Sequence, residues 1–434
     1  MSVYEREEQA QEQEQEQAQE QEQEQKQKQD KYRTNESEGN MNVDGDGSAT
    51  TSVIKEFNKW EDLEHLDSNL LRGMYAYGFD NPSMIQQKSI LSFFERKDMI
   101  AQAQSGTGKT GAFSVGVLQN IDTSVKKVQA IILAPTRELA KQIHDVVSGL
   151  AVFMKTLKIQ LLVGGTSTAE DVSYLKSESP HIIVGCPGRV HDMIRRNHIR
   201  GGDVKMIVLD EADEMLSAGF KEQVYNIFNF LNSSVQVCLF SATLPEELHA
   251  LASNFLRNPV KILVKSEQLT LEGIMQHLIA WEDDSHNYNT MKDIFNMISV
   301  TQTIIYCNSI KRVTDLTEAM IQDNFPVCCI HSGMEKSERD AAFRDFKSGK
   351  HRVLISSNVT ARGIDVQNVG VVINFDVPKD VHTYLHRIGR SGRWGRKGVA
   401  INFVTRWDMK KIKEFEVYYN TVITEMPSTI NVSS

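Results

Sequence analysis

Beyond Val53 the chain alternates short runs of contiguous apolar residues with longer stretches in which apolar and polar positions recur at helical spacing. A run that is apolar at consecutive positions reads as a strand covered on both faces. Such strands, separated by amphipathic helices, are the pattern of parallel sheets with crossover connections. Seven runs fall in the first half: Met99–Ala101, Ala130–Ala134, Gln160–Val163, His181–Val184, Met206–Leu209, Val235–Phe240 and Val260–Val264. Five fall in the second: Thr303–Cys307, Val327–Ile330, Arg352–Ile355, Val369–Asn374 and Ala400–Val404. The pattern predicts an α/β protein with two doubly wound sheets, in domains spanning 53–264 and 274–434. The short polar stretch Lys265–Gly273 between them suits a hinge linker.

The N-terminal segment reads differently. From Gln9 to Gln29 it alternates Glu and Gln with almost no apolar residue, so it cannot bury enough surface to offset its ordering entropy. Residues 1–52 are therefore expected to be a disordered tail. Charge divides along the same line. The chain carries a formal −9, with 57 acidic and 48 basic residues, but the tail alone holds 14 acidic and five basic ones. The folded part is then neutral, and any grip on nucleic acid must come from locally placed arginines and backbone amides rather than from a global field.

No apolar run reaches the roughly 18 to 20 residues of a membrane span, and the N-terminus lacks a charged-then-apolar leader. The five cysteines show no CxxC spacing, which argues against a zinc site or a disulfide framework and for a reducing interior.

Two segments about a hundred residues apart carry phosphate chemistry. Ala103–Thr110 (AQSGTGKT) follows the strand at Met99 and opens a helix. In it Ser105, Gly106, Thr107 and Gly108 let backbone amides wrap phosphate oxygens, Lys109 reaches the β and γ phosphates, and Thr110 offers a hydroxyl to Mg2+. Asp210–Asp213 (DEAD) closes the strand Met206–Leu209. Adjacent side chains at a strand end point different ways, so Asp210 can serve the metal while Glu211 orients and deprotonates the attacking water.

With these two, further motifs stand in a fixed order: Gly78–Gln86, Pro135–Leu139, Gly164–Gly165, Cys186–Arg189, Ser241–Thr243, Ala361–Asp365 and His386–Arg393. The set resembles the DEAD-box RNA helicases, most closely the minimal translation initiation factor 4A subfamily, over roughly residues 57–426. The resemblance implies two tandem RecA-like domains, ATP and Mg2+ as ligands, and an RNA-dependent ATPase that locally unwinds short duplexes or remodels RNA–protein complexes. An ATP-gated RNA clamp that nucleates a larger complex and turns over little is the alternative.

Roles follow by position. Gln86, within the motif that holds Phe79, has an amide able to pair the adenine edge. Trp60 lies near the place of an aromatic that stacks on the base, with Phe57, or plain core packing of Trp60, as alternatives. Arg390 and Arg393 resemble arginine fingers for the γ phosphate, whose planar fork suits spreading phosphoryl charge. Asp365 resembles a ribose contact. His386 and the segment Ser241, Ala242 and Thr243 resemble elements that couple closure to strand separation.

RNA contacts are expected from Pro135, Thr136, Arg137, Gly165, Pro187, Gly188 and Arg189 in the first domain, and from Asn308, Arg339 and Ser357 in the second. Few aromatics accompany them, which implies a sequence-independent grip on the backbone. Three positions depart from the family pattern: Lys336 for Gln, Ser357-Asn358 for Thr-Asp, and Cys186 for Thr. The first two make the RNA surface more positive. The resemblance implies a monomer aided by protein partners that promote closure. A cytoplasmic location is favoured over a nuclear one, since no basic nuclear-targeting cluster is present.

Overall fold

The computed structural model describes residues 57–103, 107–217, 219–262, 274–283, 286–297, 302–358, 369–391 and 398–427. The tail, the linker 265–273, and with them Ser105, Gly106, Asp365 and Arg393, lie outside the described residues.

Two seven-stranded sheets make up the described chain. The first contains β1 (Met99–Gln102), β2 (Ala130–Leu133), β3 (Ile159–Leu162), β4 (Ile182–Gly185), β5 (Met206–Asp210), β6 (Gln236–Ser241) and β7 (Val260–Ile262). The second contains β8 (Ile274–Trp281), β9 (Gln302–Tyr306), β10 (Val327–Ile330), β11 (Val353–Ser356), β12 (Val369–Asn374), β13 (Gly398–Thr405) and β14 (Thr424–Glu425). Their orders are β3-β4-β2-β5-β6-β1-β7 and β10-β11-β9-β12-β13-β8-β14. All pairings are parallel.

The expected α/β class and the two sheets are found, and every predicted run falls on a strand, with its ends inside the strand or within a residue of it except at Val260–Val264, whose last two positions lie outside the described residues. The contiguous apolar runs work as anticipated: β2, β4 and β5 are buried at every position. Alternate residues feed opposite faces. Ile132 and Val208 join one core, while Ile131, Leu133, Ile207 and Leu209 join the core on the other side. In the second sheet Ile305 and Ile355 face one core, and Ile304, Tyr306 and Leu354 the other. The strands β8 and β14 escaped the sequence reading. The edge strand β14 has only two residues, both exposed. Its neighbour β8 is only half-covered and breaks its apolar positions with Gln276 and His277.

Helix starts follow local chemistry. Thr136 accepts a hydrogen bond from the Leu139 N–H, Ser309 from that of Arg312, and Asp380 from that of Thr383. Each cap satisfies a donor the helix cannot, and contributes on the order of 1 kcal/mol. These helices leave the carboxyl ends of β2, β9 and β12. The caps therefore fix where the functional loops stop and the helices begin. Among the described residues no helix is long and apolar enough to cross a membrane.

Candidate functional site

Strand order sorts the motifs along one edge of the first sheet. The carboxyl ends of β5, β6 and β1 are neighbours, with Ser241 in register with Gln102 and Phe240 with Asp210. This brings the DEAD segment, Ser241 and the phosphate-loop segment side by side. The ends of β3, β4 and β2 are also neighbours, so Gly165, Pro187–Arg189 and Pro135–Arg137 share the other half of that edge.

At the first cluster Gly108 caps the helix Lys109–Gln119 with φ +99°, a conformation glycine adopts at little cost. A Cβ there would meet Ser83 Oγ at 2.7 Å and Gln86 Nε2 at 3.0 Å. Gln86 is buried, donates to Gly108 O at 3.2 Å and accepts from the Ser83 N–H at 2.7 Å. Gly111 is tighter still: its Cβ would lie 2.6 Å from both Gln86 Nε2 and the Phe79 ring. Gln86 and half-buried Phe79 are thus pressed against the start of the phosphate-loop helix, beside Thr107 and half-buried Thr110.

Lys109, Asp210, Glu211 and Asp213 are all buried. The Lys109 ammonium lies 3.5 Å from Glu211 Oε1. Burial, followed by the neighbouring Glu211 charge, pushes the Asp210 carboxyl up to about 7, while Lys109 pulls it down. Three buried carboxyls beside one ammonium supply oxygen donors of the kind a divalent cation takes. Glu211 itself holds φ +52° and donates its N–H to Asp210 Oδ1 at 3.0 Å. A non-glycine residue in that region costs about 1–3 kcal/mol and, where it occurs, tends to mark a functional site.

The coupling set is brought together. Thr243 Oγ1 donates to Asp213 Oδ2 at 2.5 Å, and the Asp213 N–H reaches Ser241 Oγ at 3.4 Å. His386, from the second sheet's helix Val381–Ile388, lies 3.3 Å from the same Asp213 oxygen. Ala242 packs in one core cluster with Val381, Leu385 and Ile388 of that helix. Arg390 is buried and its Nε donates to His386 O at 3.2 Å.

The positions expected to face RNA divide into two kinds. Gly165, Gly188 and Asn308 are exposed, and Thr136 and Ser357 half-buried, whereas Pro135 and Pro187 are buried. Gly165 has φ +78°, and a Cβ there would meet Arg137 Nη1 at 2.5 Å. Two arginines are engaged inside the protein. Arg189 pairs with Asp171 and bonds Thr166 O at 2.9 Å, and Arg339 pairs with Glu138 across the sheets at 3.0 Å. The side chains of Arg189 and Arg339 were expected to track phosphates, yet here they brace loops. A cavity of about 130 Å3 lies between Arg137, Glu138 and Lys141 of the first sheet's helix and Arg339 and Asp340.

Trp60 is corrected from the expected base-stacking role. It has no exposed surface, lies in the first core and donates its indole N–H to Phe79 O at 2.9 Å. A base would find no face of it to stack on. Of the two stated alternatives, core packing of Trp60 holds, and Phe57 is also in that core, at 5% exposure.

The model of the DEAD/DEAH box helicases matches residues 83–251, and that of the helicase conserved C-terminal domain matches 286–395. The ATP-dependent RNA helicase eIF4A of Saccharomyces cerevisiae is 51% identical over 380 residues, covering 88% of this chain and 95% of that protein. The chain belongs to the DEAD-box helicase family. The ATP-dependent RNA helicase fal1 of Schizosaccharomyces pombe is similar at 49% over 381 residues, covering 88% and 96%. Among solved structures, S. cerevisiae Dbp5 bound to RNA and ADP BeF3 superposes with a TM-score of 0.79 at 33% identity, covering 85% of this chain and 95% of that one.

Within this helicase the motif reading overlooked the residues that hold motif residues in place: Asp213, Glu138, Asp171 and Arg387. Asp213 and Glu138 stood inside quoted motifs, so a signal existed. Arg387 stood inside the quoted motif His386–Arg393 as well, whereas Asp171 lies outside every quoted motif and meets Arg189 only after folding.

Proposed function

We propose that this chain is an ATP-dependent RNA helicase of the initiation-factor-4A kind that separates short duplexes by clamping one strand as its two sheets close on ATP. The observation that carries this is the sharing of Asp213 Oδ2 by Thr243 of the first sheet and His386 of the second, beside buried Lys109 and Glu211. A phosphate chemistry site is thereby wired to the joint between the halves.

In this reading Gln86 receives the adenine edge against Phe79, and the amides of Ser105–Gly108 with Lys109 hold the phosphates. Lys109 exchanges Glu211 for the γ phosphate, which frees Glu211 to take the proton of the attacking water. Thr110 and Asp210 would hold Mg2+, in keeping with the cluster of buried carboxyl oxygens, and Mg2+ there would supply positive charge to offset that of the phosphates. Arg390 and Arg393 meet the charge that spreads over the transferred group, and Asp365 contacts the ribose. Only the joined state presents both halves of this set, so ATP favours closure and hydrolysis releases it.

RNA is gripped without regard to sequence, through backbone amides at Gly165 and Gly188, the Thr136 and Ser357 hydroxyls, Arg137 and Asn308, with Pro135 and Pro187 shaping the loops. The internal pairing of Arg189 and Arg339 supports a contact made more by backbone than by free guanidinium forks. The domain limits 53–264 and 274–434, a monomeric state, stimulation by protein partners and a cytoplasmic location belong to the same reading. Release of a labelled strand from a short RNA duplex tests it. ATP-dependent release over many turnovers is expected; tight retention of RNA with negligible turnover would favour the clamp instead.

A further inference from the structure

Arg387 is fully buried, and its guanidinium makes five hydrogen bonds, matching its five N–H groups. Nε and Nη2 donate to Asn358 Oδ1 at 2.9 and 2.6 Å, and Nη2 also donates to Asn308 Oδ1 at 2.7 Å. Nη1 donates to Asn374 Oδ1 at 3.2 Å and to Asp376 O at 2.8 Å. Every acceptor is a neutral oxygen. Among the described residues, no carboxylate oxygen accepts from it. The nearby Asp376 carboxylate is engaged elsewhere, by Arg312 at 2.8 Å and by the Asn308 N–H at 2.8 Å.

Strand order creates this box. The ends of β11, β9 and β12 are neighbours, and they deliver Asn358, Asn308 and Asn374 around a side chain from the helix Val381–Ile388. The amide orientations are fixed from outside: Asn308 Nδ2 donates to Val377 O and Asn374 Nδ2 to Asn402 Oδ1, so both oxygens face the guanidinium.

Neutral oxygens satisfy the donors but do not cancel the charge. Burial draws the Arg387 guanidinium down to about 10, and the Asp376 and Asp380 carboxylate charges, neither of them in direct contact with it, only partly oppose that. That cation is not far from solvent, because Asn308 and Asn358, whose oxygens cap Nη2, are both exposed. An anion seated over these two amides would lie one side chain away from a charge that the Asp376 and Asp380 carboxylates offset only from a distance, without a direct ion pair.

We infer that Asn358 is a positioning residue for RNA-stimulated turnover: its neutral oxygen, where a carboxylate of the same shape would fit, leaves the buried Arg387 to be answered by an RNA phosphate over Asn308 and Asn358. Phosphate binding then tightens the helix that carries His386 and leads into Arg390. This rests on the RNA reading above, and adds to it a place where strand binding reaches the joint between the sheets.

The test is Asn358→Asp, which keeps the shape and supplies the missing charge, compared with wild type in single-stranded RNA binding over a salt series and in ATP turnover against RNA concentration. The expected result is about tenfold weaker RNA binding at low salt, and a log–log salt slope shallower by about 0.7, the share of one phosphate contact on a single strand. The RNA concentration for half-maximal turnover should rise while the rate at saturating RNA stays within about twofold. Ser309→Asp is the comparison, since it keeps a helix-capping side chain and places a charge beside Asn308 without touching Arg387. Thermal melting confirms that both variants fold. Unchanged affinity and slope in Asn358→Asp, or an equal loss in Ser309→Asp, overturns the inference. If the wild type itself does not bind RNA, it is the proposed function that fails.

Discussion

His386 Nε2 and Asp213 Oδ2 lie 3.3 Å apart with both side chains almost wholly buried, so a single carboxylate oxygen links the second sheet's helix to the end of the DEAD segment. Thr243 Oγ1 fixes that oxygen from the first sheet at 2.5 Å. Hydrogen bonds to a charged partner contribute about 1.5–3 kcal/mol, equivalent to about 10- to 100-fold in the population of the joined state. Asp213→Asn keeps the shape and removes the charge. RNA-stimulated ATP turnover in this variant is expected to fall at least tenfold, measured at steady state; a wild-type rate would show that the contact is incidental.

A second contact joins the sheets. Arg339 meets Glu138 at 3.0 Å, with side chains only 10% and 13% exposed. Arg339→Glu should impair RNA-stimulated turnover by bringing like charges together, and adding Glu138→Arg should restore much of it. If Arg339 serves RNA phosphates directly, the double variant will remain as impaired as the single one, so the rescue measurement separates the two roles.

The fold and the catalytic half of the site were legible because they depend on local pattern. Contiguous apolar runs marked the buried strands, and the glycines at 106 and 108 with Lys109, and the carboxylates at 210 and 211, announced phosphate chemistry by spacing alone. For Trp60 the core-packing alternative holds over the base-stacking one, a choice sequence could not make because burial is a tertiary property: the motif neighbourhood suggested a ligand, whereas the indole packs inward and donates to Phe79 O. Arg189 and Arg339 were legible as cations, but their internal pairing was not, since Asp171 and Glu138 meet them only after folding. The box around Arg387 gathers side chains from three strand ends and could not be assembled without the sheet order.

Burial makes Trp60 a discriminating position. Trp60→Ala should destabilise the protein by about 3–5 kcal/mol through the cavity it leaves, lowering the melting temperature by on the order of 10 °C. A role in stacking on the base would instead leave melting unchanged and raise KM for ATP. Thermal denaturation alongside ATP kinetics distinguishes them.

Gly111 tests the base site without touching a catalytic group. Its Cβ would lie 2.6 Å from Gln86 Nε2 and from the Phe79 ring, so Gly111→Ala must displace one or both. KM for ATP is expected to rise about tenfold or more, with weaker discrimination against GTP, while the fold is retained. Unaltered ATP affinity and nucleotide preference would remove Gln86 and Phe79 from the site.

The central claim is that RNA drives ATP hydrolysis at a site in which Glu211 activates water. Steady-state hydrolysis with and without single-stranded RNA, in the wild type and in Glu211→Gln, tests it most directly. The account predicts strong RNA stimulation of the wild type and a loss of about 10²–10⁴-fold in the variant, with ATP still bound. A wild-type rate indifferent to RNA, or a variant that hydrolyses as fast as the wild type, would contradict it.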